Sequence, residues 1–202
     1  QMCIRDRVMS LRTRFGNLGN ILNFERLIKE NVYVLESPIL SNSQFNQFKK
    51  YFNKNYRIID CTFEKDKNLK EALDEIRLSS EIAAREGVKQ IILTDRDNGE
   101  NKLVIPMVLA VGAVNSHLIF KSLRGFVSLN IETGDAMDTH SFATLLGVGA
   151  TTINPYLALD SIHQRFEKKL FGKLSIEDCI KRYIKSVNNG LLKIMSKMGI
   201  SV

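Results

Sequence analysis

The stretch 127–158, VSLNIETGDAMDTHSFATLLGVGATTINPYLA, leaves this chain few folds to choose from. Val127, Leu129 and Ile131 alternate with polar residues, the period of a strand with one face buried. A turn follows at Gly134-Asp135, and Asp138 or Thr139 can cap a helix carrying Phe142, Ala143, Leu145 and Leu146 on one side. Gly147 and Gly149 stop that helix, and 151–154 (TTIN) reads as a second, very short strand. Pro155 then stands where a first helical turn tolerates it. Strand, helix, strand, helix in one run is the repeat unit of a parallel sheet with covering helices.

The rest of the chain extends that pattern in both directions. Residues 57–63 (RIIDCTF) and 90–95 (QIILTD) read as strands, the second apolar enough to be covered on both sides. Between them, 68–85 is amphipathic, with Leu69, Leu73, Ile76 and Ile82 on one side and Gly87 beyond its end. Pro106 opens a helix through Leu109, Val111, Val114, Leu118 and Ile119. A last long helix over 174–195 begins at the cap Ser175, with Glu177 and Asp178 in its first turn. Upstream, 32–35 is a short apolar run broken at Ser37-Pro38, and Ser41 or Ser43 can cap a helix whose Phe45, Phe48 and Phe52 form a core stripe. The predicted class is α/β, parallel strands with covering helices, either half a (β/α)8 barrel or a small open sheet. The predicted organisation is a leading connector and helical segment over 8–55 and the α/β domain over 56–202. Residues 1–7 (QMCIRDR) look foreign, like a translated sequencing-adapter remnant, and are set aside.

Composition excludes more than it identifies. The chain of 202 residues is 44% hydrophobic and 25% charged, which fits a soluble globular segment. Its longest apolar run, 104–114, is far short of the roughly 20 residues of a membrane helix and contains Pro106 and Gly112. Cys3, Cys61 and Cys179 show no pairing or ligand spacing and fit reduced thiols in a cytoplasmic protein. The formal charge is +7, of which Arg5, Asp6 and Arg7 contribute +1, leaving +6. That charge is dispersed and has no aromatic-interleaved basic stripe, so a nucleic-acid partner is disfavoured.

In either parallel architecture ligands sit beyond the carboxyl ends of the strands, which selects Thr94-Asp95-Arg96, Thr133-Gly134-Asp135 and Asn154-Pro155. Asp95 could be an acid/base or an arginine anchor. The favoured reading of Asp95 and Arg96 is a loop-fixing ion pair at a domain contact. The histidines His117, His140 and His163 fall on three different helices and do not converge on a metal. His140, near a helix start whose dipole favours the neutral ring, is the best single candidate for chemistry. Gly147-Val148-Gly149 follows a helix and leads into a strand, the reverse of a phosphate loop, and is better explained by close helix–strand packing. No complete catalytic set is visible.

Several segments carry a resemblance. MSLRTRFGNLGNIL near the start, LESPILS at 35–41, IILTDRD at 91–97, IPMVLAVGAVNSHL at 105–118, the run ending GVGATTINPYLA at 158 and GLLKIMSKMGIS at 190–201 occur in that order. Together they are similar to the central domain of the large subunit of glutamate synthase, over nearly the whole chain. The chain departs from that family at Val114-Asn115-Ser116-His117, where a histidine-rich cluster is usual, and near Met137-Asp138, where an Arg-Glu pair is usual. The resemblance implies an oxidoreductase that converts glutamine, 2-oxoglutarate and reductant into two glutamates. It implies an amidotransferase domain and an FMN barrel with a 3Fe-4S cluster on the same polypeptide, with electrons from a nicotinamide-dependent small subunit or from ferredoxin. The resemblance also implies that the central domain is a rudimentary relative of that barrel, so this chain is expected to be an inactive structural piece binding no cofactor. On that reading Asp95, Arg96, Thr133, His140 and Asn154 are structural or interface residues. The alternative is a free-standing half-barrel that binds a small anionic metabolite at the Asp95, Thr133 and Asn154 loops.

Overall fold

Gln90–Thr94 is buried along its whole length, because it lies inside a parallel sheet with neighbours on both sides. The computed structural model describes residues 9–15, 33–53, 55–97 and 99–200, so the foreign-looking residues 1–7 and most of the connector expected from residue 8 onward lie outside the described residues. In chain order the elements are β1 (Thr13–Phe15), β2 (Tyr33–Leu35), α1 (Asn42–Phe52), β3 (Tyr56–Asp60), β4 (Thr62–Glu64), α2 (Leu69–Arg85), β5 (Gln90–Thr94) and β6 (Lys102–Val104). They continue as α3 (Met107–Phe120), a 3-10 turn (Arg124–Phe126), β7 (Ser128–Glu132), α4 (Thr139–Gly147), β8 (Thr152–Asn154), α5 (Tyr156–Glu167) and α6 (Ile176–Met198).

The principal sheet has the order β3-β5-β7-β8, every pair parallel. The β–α alternation of the sequence therefore produces the expected α/β class. Ile39 extends the sheet past β8 through a parallel bridge to Ile153, with Leu40 N donating to Ile153 O at 2.9 Å. The chain segment just before α1 thus lies at the opposite edge from β3, which follows α1.

Alternation along the strands gives the sheet two unlike faces. Ile59, Ile91, Leu93, Leu129, Ile131 and Ile153 point to one side and pack with Ile76 and Ala83 of α2, Val111 and Val114 of α3, Phe142 and Leu145 of α4, and Val187 and Leu191 of α6. On the other side the buried residues are Gln90, Ile92, Thr94, Asn130, Glu132, Thr152 and Asn154, of which only Ile92 is apolar. These polar groups satisfy one another. Asn130 donates to Gln90 Oε1 at 2.9 Å and accepts from Thr152 Oγ1 at 2.7 Å. Ile92 joins the aromatic cluster of Phe15, Phe45, Phe48 and Phe52, so α1 covers the face that would be the interior of a closed barrel. Burying a side chain such as Phe48, which is 0% exposed, is worth about 1.5–3 kcal/mol. The helix starts where Ser41 forms a capping box with Gln44.

Residues 57–63, expected as one strand, divide at Cys61. Asp60 accepts from Thr62 N at 3.0 Å and Thr62 Oγ1 at 2.8 Å, turning the chain. Beyond the turn β4 pairs antiparallel with β6, a strand the sequence did not announce. This small ribbon stands at the carboxyl ends of β3 and β5, and Lys102 ties it down by pairing with Asp60 at 3.3 Å and Asp97 at 2.8 Å.

Candidate functional site

The carboxyl ends of β5, β7 and β8 bring Thr94, Asp95 and Arg96 beside Glu132, Thr133 and Gly134, with Asn154 and Tyr156 on the next strand and helix. Parallel pairing in register makes this convergence obligatory, since Thr94 faces Glu132 and Glu132 faces Asn154. Asp95 is only 3% exposed. Its carboxylate accepts from the Thr133 hydroxyl and, through both oxygens at 3.1 Å, from the backbone N–H of Gly134. Burial pushes the Asp95 carboxyl above its ordinary range, against the pull of those donors and of the neighbouring Tyr156. Tyr156 in turn is pushed up to about 12 by burial and by the Asp95 charge.

Arg96 does not pair with Asp95. Its Nη1 lies 3.1 Å from Glu132 Oε1, and its guanidinium stacks over the Tyr156 ring at 4.9 Å. Glu132 also accepts from Thr94 Oγ1 at 2.9 Å, so both of its oxygens are occupied. In place of the ion pair expected of Asp95 and Arg96, Arg96 pairs with Glu132 of the adjacent strand and Asp95 accepts from Thr133 and Gly134. Adjacent side chains at a strand end point apart, which puts Asp95 and Arg96 out of each other's reach. Asp135 accepts from Met107 N at 3.1 Å and so caps α3, whose own cap residue Pro106 supplies no side-chain acceptor.

Asn154, 1% exposed, donates to Leu40 O and to Asn42 Oδ1, both at 3.0 Å, pinning the start of α1 to β8. Its Oδ1 is buried without a hydrogen-bond partner among the described residues. His140 is exposed in the first turn of α4, and among the described residues its ring makes no hydrogen bond to these carboxylates. His163 is exposed on α5, and His117 lies 2.7 Å from Glu81 on α2, away from the strand ends. The residues that sequence reasoning missed here are Glu132, Tyr156 and Asn42. Glu132 was readable as polar in the alternation of β7, but its partners depend on strand register, which no local signal encodes.

Chemically the arrangement is closed upon itself. The Gly134 amide, the group a phosphate would seek at this turn, is taken by Asp95. Cys61 is fully buried, its Sγ contacts Ile59 O at 3.9 Å, and burial, followed by Asp60 and Asp95, pushes the thiol up to about 12. Among the described residues no group of three His, Cys, Asp or Glu side chains could hold a metal ion. These residues do not fit a flavin phosphate or an iron–sulfur cluster. No described helix is long and apolar enough to cross a membrane.

Gly149, with φ +120°, lies where an added Cβ would meet Asn115 of α3 at 2.4 Å. Close packing at this glycine is thus a matter of α3 against the turn before β8. Gly147 has open space around its Cβ position.

Comparison with known proteins gives a consistent answer. The family described as "Glutamate synthase central domain" matches residues 3–202. The glutamate synthase [NADPH] large chain of Azospirillum brasilense is 48% identical over 199 residues, covering 97% of this chain and 13% of that one. The corresponding large chain of Bacillus subtilis is 39% identical, covering 96% of this chain and 13% of its own. The ferredoxin-dependent glutamate synthase 1 of Arabidopsis thaliana is 37% identical with the same coverages, 96% and 13%. The chain therefore spans about 13% of the length of these relatives. Among solved structures, a flavocytochrome b2 variant with benzoylformate aligns with TM-score 0.48 at 16% identity, covering 88% of this chain and 40% of that one. The chain belongs to the glutamate synthase central domain family.

Proposed function

We propose that this chain is a non-catalytic spacer inside a glutamate synthase polypeptide, holding an amidotransferase domain and an FMN domain with its 3Fe-4S cluster in fixed relation. The observation that carries the proposal is the self-satisfied set of strand ends. Asp95 is spent on Thr133 and Gly134, and Glu132 on Thr94 and Arg96, where a ligand-binding barrel would present free groups. The covering of the polar sheet face by α1 supports the same reading, since it fills the space a ligand would need. An anionic metabolite is disfavoured by the same geometry, because Asp60, Asp95, Glu132 and Asp135 all stand at this end. Relatives named for NADPH and for ferredoxin share this domain, which favours a role indifferent to the electron donor. A rigid packed domain is what transfer of ammonia between separated centres requires, since it fixes their separation and excludes water. The free thiols of Cys61 and Cys179 favour the cytoplasm as the compartment of this chain.

The test uses Arg96→Gln and His140→Ala in the enclosing polypeptide. Glutamine hydrolysis and the ammonium-dependent reduction of 2-oxoglutarate are measured separately. Both rates are expected to stay within about twofold of the unaltered enzyme, a change of less than ~0.5 kcal/mol in barrier. A tenfold loss in either half-reaction, with the circular dichroism spectrum intact, would place these residues in the chemistry and end the spacer reading.

A further inference from the structure

A cleft of about 380 Å³ lies between α5 and α6, with Met137, Ile162, Phe171 and Leu174 forming an apolar floor and Arg165 and Arg182 standing at its rim. Both arginines are exposed, and among the described residues neither has a carboxylate partner within ion-pair distance. The contrast with α2 is informative. There Arg77 pairs with Asp74 at 2.8 Å and Arg85 with Glu81 at 2.8 Å, so the helix neutralises its own arginines. Arg165 and Arg182 are the charged residues that line the cleft. Lys168, Lys169 and Lys173 occupy the connection between α5 and α6 and, with the two arginines, outnumber Asp160, Glu167 and Asp178 of the same two helices. Of these acids, Asp178 accepts from the Ser175 cap.

We propose that this cleft is a docking site for an acidic segment of the same longer polypeptide, one that seats a leucine or phenylalanine side chain on the floor between carboxylates reaching Arg165 and Arg182. The inference rests on the spacer reading for the origin of the segment, and on charge complementarity for its chemistry. The floor supplies desolvated apolar contact for one large side chain. The two guanidinium groups supply forked donors that match carboxylates, so the site selects both a residue type and its flanks. Floor and rim together resemble the apolar centre and charged margin of a protein contact.

The probe is a fluorescein-labelled peptide, acetyl-Glu-Glu-Leu-Phe-Glu-Glu-amide, with a lysine-flanked Leu-Phe peptide as control, read by fluorescence anisotropy. The 202-residue chain is expected to bind the acidic peptide and not the control, and to lose affinity as salt is raised from about 0.05 to 0.5 M. The Arg165→Glu/Arg182→Glu double variant is expected to weaken binding at least about tenfold while its thermal melting stays unchanged. Ile162→Asp, which spoils the floor and spares the rim, is expected to do the same. Absence of binding, or binding indifferent to both variants, overturns the site. The enclosing polypeptide is expected not to bind the peptide, because its own segment occupies the cleft. Equal binding by the two overturns the same-chain occupant. Should Arg96→Gln abolish a half-reaction, the spacer reading falls while peptide binding by the 202-residue chain still reports on the cleft, so the two failures are distinguishable.

Discussion

Asp95, at the end of β5, receives the hydroxyl of Thr133 from the end of β7, and the same carboxylate takes the backbone N–H of Gly134 at 3.1 Å. Thr133 Oγ1 also accepts from Asp135 N at 3.0 Å, so one threonine links the β5 carboxylate to the turn that caps α3. This is the place where a ligand-binding parallel sheet would need unoccupied donors, and here a buried internal carboxylate uses them. Asp95→Ala removes the acceptor from two donors and is expected to cost about 1–3 kcal/mol by urea denaturation. Asp95→Asn keeps an acceptor for Gly134 and should cost less. The pH dependence separates the two effects. Burial raises the Asp95 carboxyl, so the folded protein binds this proton more readily than the unfolded chain. The contribution of this group to stability is therefore greatest at low pH and falls as pH rises through the raised value. The stability of the unaltered chain relative to Asp95→Asn should decline from acid toward neutral pH. A difference that grows with pH would contradict the assignment.

Glu81 on α2 shows the opposite sign. Arg85 donates to it at 2.8 and 2.9 Å, the His117 ring nitrogen lies at 2.7 Å and Lys121 at 3.6 Å, and the hydrogen bonds from Arg85 and His117 with the charges of Lys121 and Arg85 hold the Glu81 carboxyl down at about 2. The unfolded chain then takes up this proton first on acidification. Stability from Glu81 is present above the ordinary glutamate value of 4.5 and is lost as pH falls toward about 2. Glu81→Gln should show a shallower acid limb over that window in thermal melts followed by circular dichroism. Parallel acid limbs for the two proteins would refute the coupling.

Arg124 is a clamp that the sequence hid inside a connector. Its Nε donates to Asn115 Oδ1 at 2.7 Å, Nη1 to Val127 O at 2.6 Å and Nη2 to Gly149 O at 2.9 Å, joining α3, the start of β7 and the turn before β8. Burial lowers its pKa from the usual arginine range. Arg124→Met should destabilise the chain by about 3 kcal/mol, because charge-assisted bonds of roughly 1.5–3 kcal/mol each are lost and do not add. Arg124→Lys, which cannot serve three divergent acceptors, should recover less than half of that in the same denaturation experiment.

What the sequence disclosed and what it withheld follow one physical division. The strands at 90–95 and 127–133 and the helices at 68–85 and 174–195 were legible because hydrophobic period and caps are local. Asn68, Asp138 and Ser175 each accept from a backbone N–H of the first turn as their residue types suggest. The break at Cys61 and the β4–β6 ribbon were not legible, since the apolar letters of 57–63 run through the turn that Asp60 and Thr62 make. At the strand ends Asp95, Thr133 and Asn154 were found by the rule for parallel sheets, yet their partners were not. The exchange of Arg96 from Asp95 to Glu132 depends on which strand lies alongside, a property of register between segments 36 residues apart.

Gly190 offers a test of helix packing against helix propensity. It lies in the interior of α6, where glycine is intrinsically worse than alanine by about 1 kcal/mol. A Cβ built there would fall 2.5 Å from Cγ2, 2.7 Å from Oγ1 and 3.1 Å from Cβ of Thr139, the first residue of α4. Rotating the threonine can clear at most one of the two nearer positions, since its Cβ carries two heavy atoms, so α6 must retreat from α4. Overpacking of this kind costs about 1–3 kcal/mol. Gly190→Ala should therefore be net destabilising by about 1 kcal/mol despite its better propensity. Thr139→Ala removes the two nearest atoms and leaves the 3.1 Å contact, which a shift of a few tenths of an ångström relieves. In the double variant the clash should largely vanish and the propensity gain emerge, giving a favourable coupling of more than about 1 kcal/mol in a double-mutant cycle. If Gly190→Ala alone raises the urea midpoint, α4 and α6 do not approach each other through this glycine.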